Sequence, residues 1–474
     1  MKKYQIQTKV KEALADDLTP FAVYQTLRDH FAVSGIMESN DMRSVENCYS
    51  FVLAEPIAGC HMKHQKLTCD YPGGDKACFD IDSPEVLYQQ FNEYMEMYDQ
   101  LPSEANRNFH GLFGYSNFEA CRYFDAFDFS RMDDQDDTDL PEMRFDLYRY
   151  VLAFNHLTDR LYICCNFIEG ENEQAVDRGF EKLVSLIQSR RVQRYPFKIK
   201  GEEMSDCSAD AYMAMVDAGR RHCLRGDVFQ IVLSRAFQQS YEGDDFKVYR
   251  ALRSINPSPY LFYFHYEQFR LFGSSPESQL IIQDRKATIH PIAGTYKRTG
   301  RDSEDAVLAK QLLDDPKENA EHVMLVDLAR NDIGRQAENV EVSSYKEVKY
   351  YSHVIHLVSQ VDGSLPEGYN PLEVFGSTFP AGTLSGAPKI KAVQLIGKYE
   401  KTKRGTYGGA IGFIGFNGDV NTAIVIRSFR SQNYTLHYRA GAGIVIDSVP
   451  KNELLEVDNK IAALRKAIQM AEQI

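Results

Sequence analysis

The spacing of apolar residues changes from stretch to stretch along the chain, and each spacing predicts an element. Over 208–225 apolar positions recur with helical period, Gly226-Asp227 break the pattern, and 228–233 reads as a short buried strand. Alternating or continuous apolar runs at 49–53, 148–154, 260–265, 279–282, 410–416, 422–428 and 443–447 predict further strands, with polar and Gly-rich turns between them. Asp315-Pro316 reads as a helix start, because Asp caps free backbone N–H groups and Pro has none to waste at the first helical position. The helix that follows carries Glu318 and Glu321 on one face, and Glu453, Glu456 and Lys460 repeat that arrangement on another near the C-terminus. Strands and helices do not alternate regularly, as they would around a parallel sheet, and no fixed-period repeat supports a solenoid.

The main boundary falls where a polar, basic stretch at 191–203 carries Pro196 and Gly201 as breakers. It divides a mixed N-terminal region, 1–200, from a denser segment, 206–474. The acidic run 133–139 is too short for a disordered tail and reads as a solvated loop. With 474 residues, 43% of them hydrophobic, the chain can bury a large core. A net charge of -13 spread along the chain offers no basic face for nucleic acid, and no apolar run is long enough for a bilayer. The expectation is a cytoplasmic protein with no nucleic-acid or membrane partner.

The nine cysteines all lie in the first half, odd in number and without CxxC pairs, and read as reduced core thiols rather than a zinc site. Tryptophan is absent although the chain has 28 Phe and 28 Tyr, which suits an enzyme needed when tryptophan is scarce and also arises by chance.

From spacing alone, the carboxylate pairs fit either a solvated helix face or, on two facing helices, a hard divalent ion with oxygen ligands. The segment 382–389 (GTLSGAPK) and Gly441-Ala442-Gly443 are small-residue turns that let backbone N–H groups approach an anion. Ile446 stands where a dinucleotide fingerprint needs its third glycine, which argues against a nicotinamide or flavin enzyme. Arg427 ends an apolar strand, where its guanidinium suits either a ligand carboxylate or a structural ion pair.

From about Ala209 to the C-terminal helix, six ordered stretches resemble the chorismate-utilising enzymes: 226–235 (GDVFQIVLSR), 273–278 (GSSPES), 291–295 (PIAGT), 318–335 (ENAEHVMLVDLARNDIGR), 382–389 (GTLSGAPK) and 441–460. The resemblance implies an α/β fold of the α+β type, with two face-packed, largely antiparallel sheets flanked by helices. It implies a Mg²⁺ ion held by Glu318, Glu321, Glu453 and Glu456 against a chorismate carboxylate. Tyr407, Arg427, Gly441, Ala442, Gly443 and Lys460 would receive the substrate's carboxylate groups, with Thr383 and His356 near the ring. Glu277 takes the place of the general acid for the departing C4 hydroxyl.

Two positions separate members of that family. Relatives that add water carry a lysine where this chain has Gln230, and glutamine has no basic nitrogen to activate water. Relatives of the folate branch carry a nucleophilic lysine where this chain has Ala293. Gln230 with Ala293 is the combination that aminates chorismate with ammonia and then eliminates pyruvate, giving anthranilate for tryptophan biosynthesis; an aminodeoxychorismate-forming enzyme and a silent tryptophan-sensing subunit are the alternatives. For the second step His356 stands either as the base or as a hydrogen-bond partner of the ring hydroxyl.

Thr19-Pro20-Phe21, Tyr24 and Met37-Glu38-Ser39 resemble the family's feedback-inhibitor region, completed by Asn256, Pro259, Tyr260 and Leu261. The expected ligand there is tryptophan. The substitutions Ile36-Met37 and Leu261 depart from the commoner leucine pair and methionine and bear on inhibitor strength. No glutaminase domain fits after the last motif, so ammonia is expected from a separate glutaminase subunit, in a heterodimer or heterotetramer. Alone, the chain is expected to use ammonium salts, best at alkaline pH.

Overall fold

The computed structural model describes residues 3–39, 48–100, 109–125, 127, 140–190, 192–351 and 354–474, so the acidic run 133–139 lies outside the described residues. Its organising feature is a long antiparallel pair, Tyr49–Lys63 with Met143–Asn155. The register of this pair shifts between Pro56 and Ala58, next to Glu55 at a φ of 60°. A bulge of this kind bends both strands, and each half of the pair then has different neighbours. One half is flanked by Ser34–Glu38 and Arg160–Ile168, the other by Lys66–Asp70 and Gly111–Ser116.

Two wings grow from the bend. The first runs from Ser34–Glu38 through Tyr260–Tyr266, Phe269–Ser275, Ser428–Gln432, Thr435–Ile444 and Gln230–Gly243 to Phe197–Ser205. The second runs from Gly111–Ser116 through Ala410–Gly415, Val420–Ile424, Ser278–Gln283 and Lys286–Ile289 to Val354–Ser364, which also pairs with Ile292–Lys297 and Glu338–Tyr350. The expected pair of sheets is therefore one continuous, curled sheet, antiparallel except where Tyr4–Leu14 meets Tyr98–Gln100. Phe262 and Phe264 of the first wing share an apolar cluster with Phe113, Ile411 and Ala423 of the second. The N-terminal segment is hydrogen-bonded into both wings, through Ser34–Glu38 and Gly111–Ser116.

Local chemistry sets the helices that matter for the site. Ser208 caps Ala209–Leu224 by accepting from Ala211 N–H, and Asp315 caps Pro316–Gly334 by accepting from the N–H groups of Lys317 and Glu318. The helix Pro316–Gly334 packs on Ile292–Lys297 and Val354–Ser364, while Pro450–Ala471 packs on Thr435–Ile444 and on the helix Phe246–Ile255. No helix among the described residues is long and apolar enough to cross a membrane. None of the nine cysteines forms a disulfide; all but Cys78 are buried, and the Cys60 and Cys69 Sγ atoms lie 3.8 Å apart.

The strands expected at 49–53 and 148–154 extend to Tyr49–Lys63 and Met143–Asn155, and three more differ near the site. The strand expected at 228–233 runs as Gln230–Gly243, because its polar second half buries Phe237, Gln239 and Tyr241 on alternate positions. The strand expected at 422–428 is two, Val420–Ile424 and Ser428–Gln432, because Val425 bonds to the 408–409 loop and Arg427 adopts a φ of 49°. The strand expected at 443–447 stops at Ile444, where Ser448 Oγ accepts from Val445 N–H and turns the chain into the last helix.

Candidate active site

Glu277 sits in the turn between Phe269–Ser275 and Ser278–Gln283. Its backbone is pinned on both sides: its N–H donates to Ser275 Oγ at 3.4 Å, and its carbonyl accepts from Ile424 N–H at 3.0 Å. The side chain is thereby aimed at Thr383, whose hydroxyl donates to Oε1 at 3.0 Å. Burial pushes the carboxyl up to about 7, against the opposing pull of Thr383, Arg427 and Lys460. A carboxylic acid poised at neutral pH suits proton donation.

Thr383 belongs to a single helical turn, Gly382–Ser385, packed on the helix Pro316–Gly334. A Cβ on Gly382 would lie 2.2 Å from Leu328 Cδ2, so a larger residue would have to push the end of that side chain aside. Lys389 anchors the end of the same segment, donating to Asp332 Oδ2 at 2.7 Å and to the Thr378 carbonyl at 3.0 Å.

Arg427 is the kink residue between two strands, and its carbonyl accepts from Ser274 N–H at 3.1 Å. Its guanidinium donates to the neutral amide oxygen of Asn256 at 3.2 Å, and burial lowers its pKa. The structural ion pair that the sequence left open is not what holds this cation. A buried cation whose partner is a neutral amide has its field open to an anionic ligand.

Strand alternation places Gly441 and Gly443 on one face of Thr435–Ile444, while the Ala442 side chain enters the hydrophobic core on the other. A Cβ on Gly443 would lie 2.4 Å from Gln230 Nε2, and one on Gly441 would lie 3.2 Å from the Tyr407 hydroxyl. Lys460 donates to the Gly441 carbonyl at 2.9 Å and pairs with Glu456 at 2.9 Å.

Gln230 Nε2 donates to Glu321 Oε1 at 3.1 Å, which fixes the amide orientation because a carboxylate only accepts. Gln230 Oε1 is buried with no hydrogen-bond partner. An orphaned buried acceptor is costly unless a ligand donor meets it.

The four carboxylates come from the two helices flanking this cleft. Burial and then Glu321 raise the pKa of Glu318, and Glu456 on the other helix contributes in the same direction. Burial also raises Glu453, again with a contribution from Glu456. Among the described residues no three His, Cys, Asp or Glu side chains converge into a ready-made metal cluster. An all-carboxylate set whose members destabilise one another's charge fits a hard divalent cation that retains waters and shares a substrate anion.

His356 is buried, its Nδ1 donates to the Gly294 carbonyl at 2.7 Å, and burial lowers its pKa, so the imidazole is neutral. Gly294, at a φ of 67°, adjoins Glu318: a Cβ there would lie 3.2 Å from Glu318 Oε2. Ala293 precedes it, buried and paired with Leu357.

A second cavity lies between the wings. Glu38, Ser39, Pro259, Tyr260 and Leu261 line it together with residues of the second wing such as Ile411 and Ala423. Asn256 is not among its lining residues and reaches Arg427 instead. The Glu38 carboxylate accepts from Tyr249 at 2.6 Å and from Arg253 at 2.7 Å, so it forms a fixed wall.

The sequence reading missed a buried network beneath the site, Glu400, Arg404 and Arg439. Its one signal was the spacing of four between Glu400 and Arg404, which also marks ordinary surface pairs.

Comparison with known proteins gives three consistent results. A family described as chorismate binding enzyme matches residues 58–466. Anthranilate synthase component 1 of Methanothermobacter marburgensis is 36% identical over 96% of this chain and 94% of that protein, and its namesake from Thermus thermophilus is 36% identical over 98% of each. The crystal structure of anthranilate synthase component I from Streptococcus pneumoniae superposes with a TM-score of 0.77 at 30% identity, covering 96% of this chain and 99% of that one.

Proposed function

The chain belongs to the chorismate-binding enzymes, among the anthranilate synthase component I proteins, and on that footing we propose that it aminates chorismate with ammonia and expels pyruvate to give anthranilate. The observation that carries this reading is Gln230. Its N–H is committed to Glu321, its carbonyl oxygen is buried without a donor, and it cannot deprotonate water. That oxygen accepts an N–H of incoming ammonia and holds the nitrogen lone pair toward ring C2. Ala293 brings no competing nucleophile.

Arg427, Tyr407 and Lys460, with the backbone of Gly441, Ala442 and Gly443, bind the substrate's carboxylates. Glu318, Glu321, Glu453 and Glu456 would hold Mg²⁺, which supplies charge neutralisation to a substrate carboxylate when bound. Glu277 gives its proton to the C4 hydroxyl, which leaves as water as the C2–N bond forms. Loss of the C2 proton then expels the enolpyruvyl group as pyruvate and aromatises the ring. His356, with its Nδ1 proton committed to Gly294, takes the C2 proton on Nε2, and the departing enolpyruvate gains a proton to become pyruvate.

In the same reading the wings act as two face-packed sheets. Residues 206–474 form the catalytic part, while 1–200 contributes to the inter-wing cavity, which takes tryptophan as a feedback inhibitor. The relatives are named as component 1, and the matching component here would be a glutaminase that supplies ammonia, in a cytoplasmic heterodimer or heterotetramer.

Fluorescence-monitored turnover of chorismate with Mg²⁺ and ammonium chloride tests the proposal. Fluorescent anthranilate appears, and EDTA or tryptophan abolishes it. A non-aromatic aminated product would overturn the pyruvate-elimination step, and full activity in EDTA would overturn the metal assignment.

A further inference from the structure

The side chains of Arg404 and Glu400 make no hydrogen bond to a side chain assigned to substrate, yet they are 1% and 0% exposed directly behind those groups. The guanidinium donates to Glu400 through Nε at 3.0 Å and Nη2 at 2.6 Å. Its remaining bonds go to two backbone carbonyls, Leu384 at 2.6 Å and Val232 at 2.8 Å. Leu384 follows Thr383, the donor to Glu277, and Val232 lies two residues from Gln230 on the same strand. The guanidinium also lies 4.5 Å over the Phe118 ring and 5.8 Å from the Tyr407 ring.

Glu400 extends the connection. It accepts from Ser234 N–H at 2.9 Å, from the Ser234 hydroxyl at 2.8 Å and from Arg439 at 3.0 Å. Glu119, from the N-terminal segment, holds the backbone from the other side, accepting from Arg404 N–H at 2.6 Å and Gly405 N–H at 3.0 Å.

A fully buried ion pair contributes little net stability compared with an apolar pair of the same shape, because desolvation cancels most of the attraction. What this pair does supply is direction. A planar fork with separated donors fixes two carbonyls and a carboxylate relative to one another. We propose that Arg404, held by Glu400, is a positioning residue that sets Thr383 against Glu277 and registers the Gln230 strand and Tyr407 around the substrate. The proposal rests on the reading of Glu277 as the acid for its pH readout and on geometry alone for its structural readout.

Arg404→Lys keeps the charge and loses the fork. With loosened Thr383, the groups facing Glu277 are Arg427 and Lys460, and removal of a hydrogen bond to the charged carboxylate raises its pKa. The expected result is a kcat about 10- to 100-fold lower, a smaller rise in the chorismate KM through Tyr407, and an alkaline limb of kcat/KM displaced to higher pH. Thr383→Val gives a displacement in the same direction, and the double variant goes no further.

Hydrogen exchange over 382–387 and 230–233 accelerates in Arg404→Lys while other segments exchange as in the parent. Unchanged exchange there, or an activity loss with the parent pH profile although Thr383→Val moves it, overturns the proposal. If Thr383→Val leaves the profile unmoved, the acid assignment falls and the exchange result alone decides the role of Arg404. If Arg404→Lys does not fold, Glu119→Gln, which replaces one of the two acceptors of the Arg404 and Gly405 N–H groups by a donor without removing the buried cation, gives the same two readouts.

Discussion

Burial lifts the Glu277 carboxyl to about 7 although Thr383, Arg427 and Lys460 all favour its charged form. The acid form is present below that pKa and is lost as pH rises through it, so kcat/KM for chorismate falls on an alkaline limb near pH 7. Bound chorismate is dianionic and neutralises the field of Arg427 and Lys460, so the limb in kcat lies at higher pH than the limb in kcat/KM. With limiting ammonium salt, each pH unit raises free NH₃ about tenfold while protonated Glu277 falls about tenfold above its pKa. While ammonium is still mostly protonated the two cancel, and the rate is expected to rise to a plateau above the Glu277 pKa. Glu277→Gln lowers kcat roughly 10²- to 10⁴-fold, and its residual rate climbs with free NH₃; a retained plateau would assign the acid to another group. Glu277 was legible as a candidate through the GSSPES resemblance. Its protonation was not, because Thr383, Arg427 and Lys460 are distant in sequence and burial depends on all of them. Gln230 was likewise legible as a type but not as an orphaned acceptor, a condition set by Glu321 and Gly443.

At the level of elements, Thr435–Ile444 turns its alternation into a site by placing hydrogen atoms where side chains would stand. A Cβ on Gly443 meets the end of a flexible side chain, Gln230 Nε2 at 2.4 Å, rather than backbone. The strand pair Val232↔Gly443 therefore survives an added methyl, and Gln230 moves. Gly443→Ala is expected to keep its melting temperature within a few degrees while losing roughly 10- to 100-fold in kcat, since a displacement near 1 Å at a reacting group costs about that much. A large fall in stability with kcat preserved in the folded fraction would contradict this. Elements defined by local chemistry were legible: the caps at Ser208 and Asp315 follow from the residue types that satisfy free N–H groups. The Arg427 kink was not, because an apolar run containing no Gly or Pro reads as one strand. What breaks it is the bonding of Val425 to the 408–409 loop and of Ser274 to the Arg427 carbonyl.

Across the whole molecule, the inter-wing cavity takes its lining from Met37, Glu38 and Ser39, from the turn at Pro259 and Tyr260, and from the second wing at Ile411 and Ala423. A ligand there touches both wings and so biases their relative placement. The turn's neighbour Asn256 ends the helix Phe246–Ile255, accepts from Arg427, and reaches the Ser274 carbonyl. Asn256 thus stands between the cavity and the Arg427 guanidinium without being one of the cavity's lining residues. The motifs marked this region in the sequence, but grouped Asn256 with the lining residues, because its direction depends on a strand break 171 residues away. The chain contains no tryptophan, so indole fluorescence reports added tryptophan against no protein background. Without an ammonia source no anthranilate forms, and the titration reads binding alone. Saturable tryptophan binding is expected, and chorismate with Mg²⁺ weakens it by the same factor by which tryptophan weakens chorismate, since coupling between two sites is reciprocal. Asn256→Ala leaves tryptophan affinity nearly intact, raises the chorismate KM through Arg427, and reduces the coupling factor toward one. Loss of tryptophan binding with coupling preserved in the remaining signal would place Asn256 in the cavity wall and return the coupling to the wings themselves.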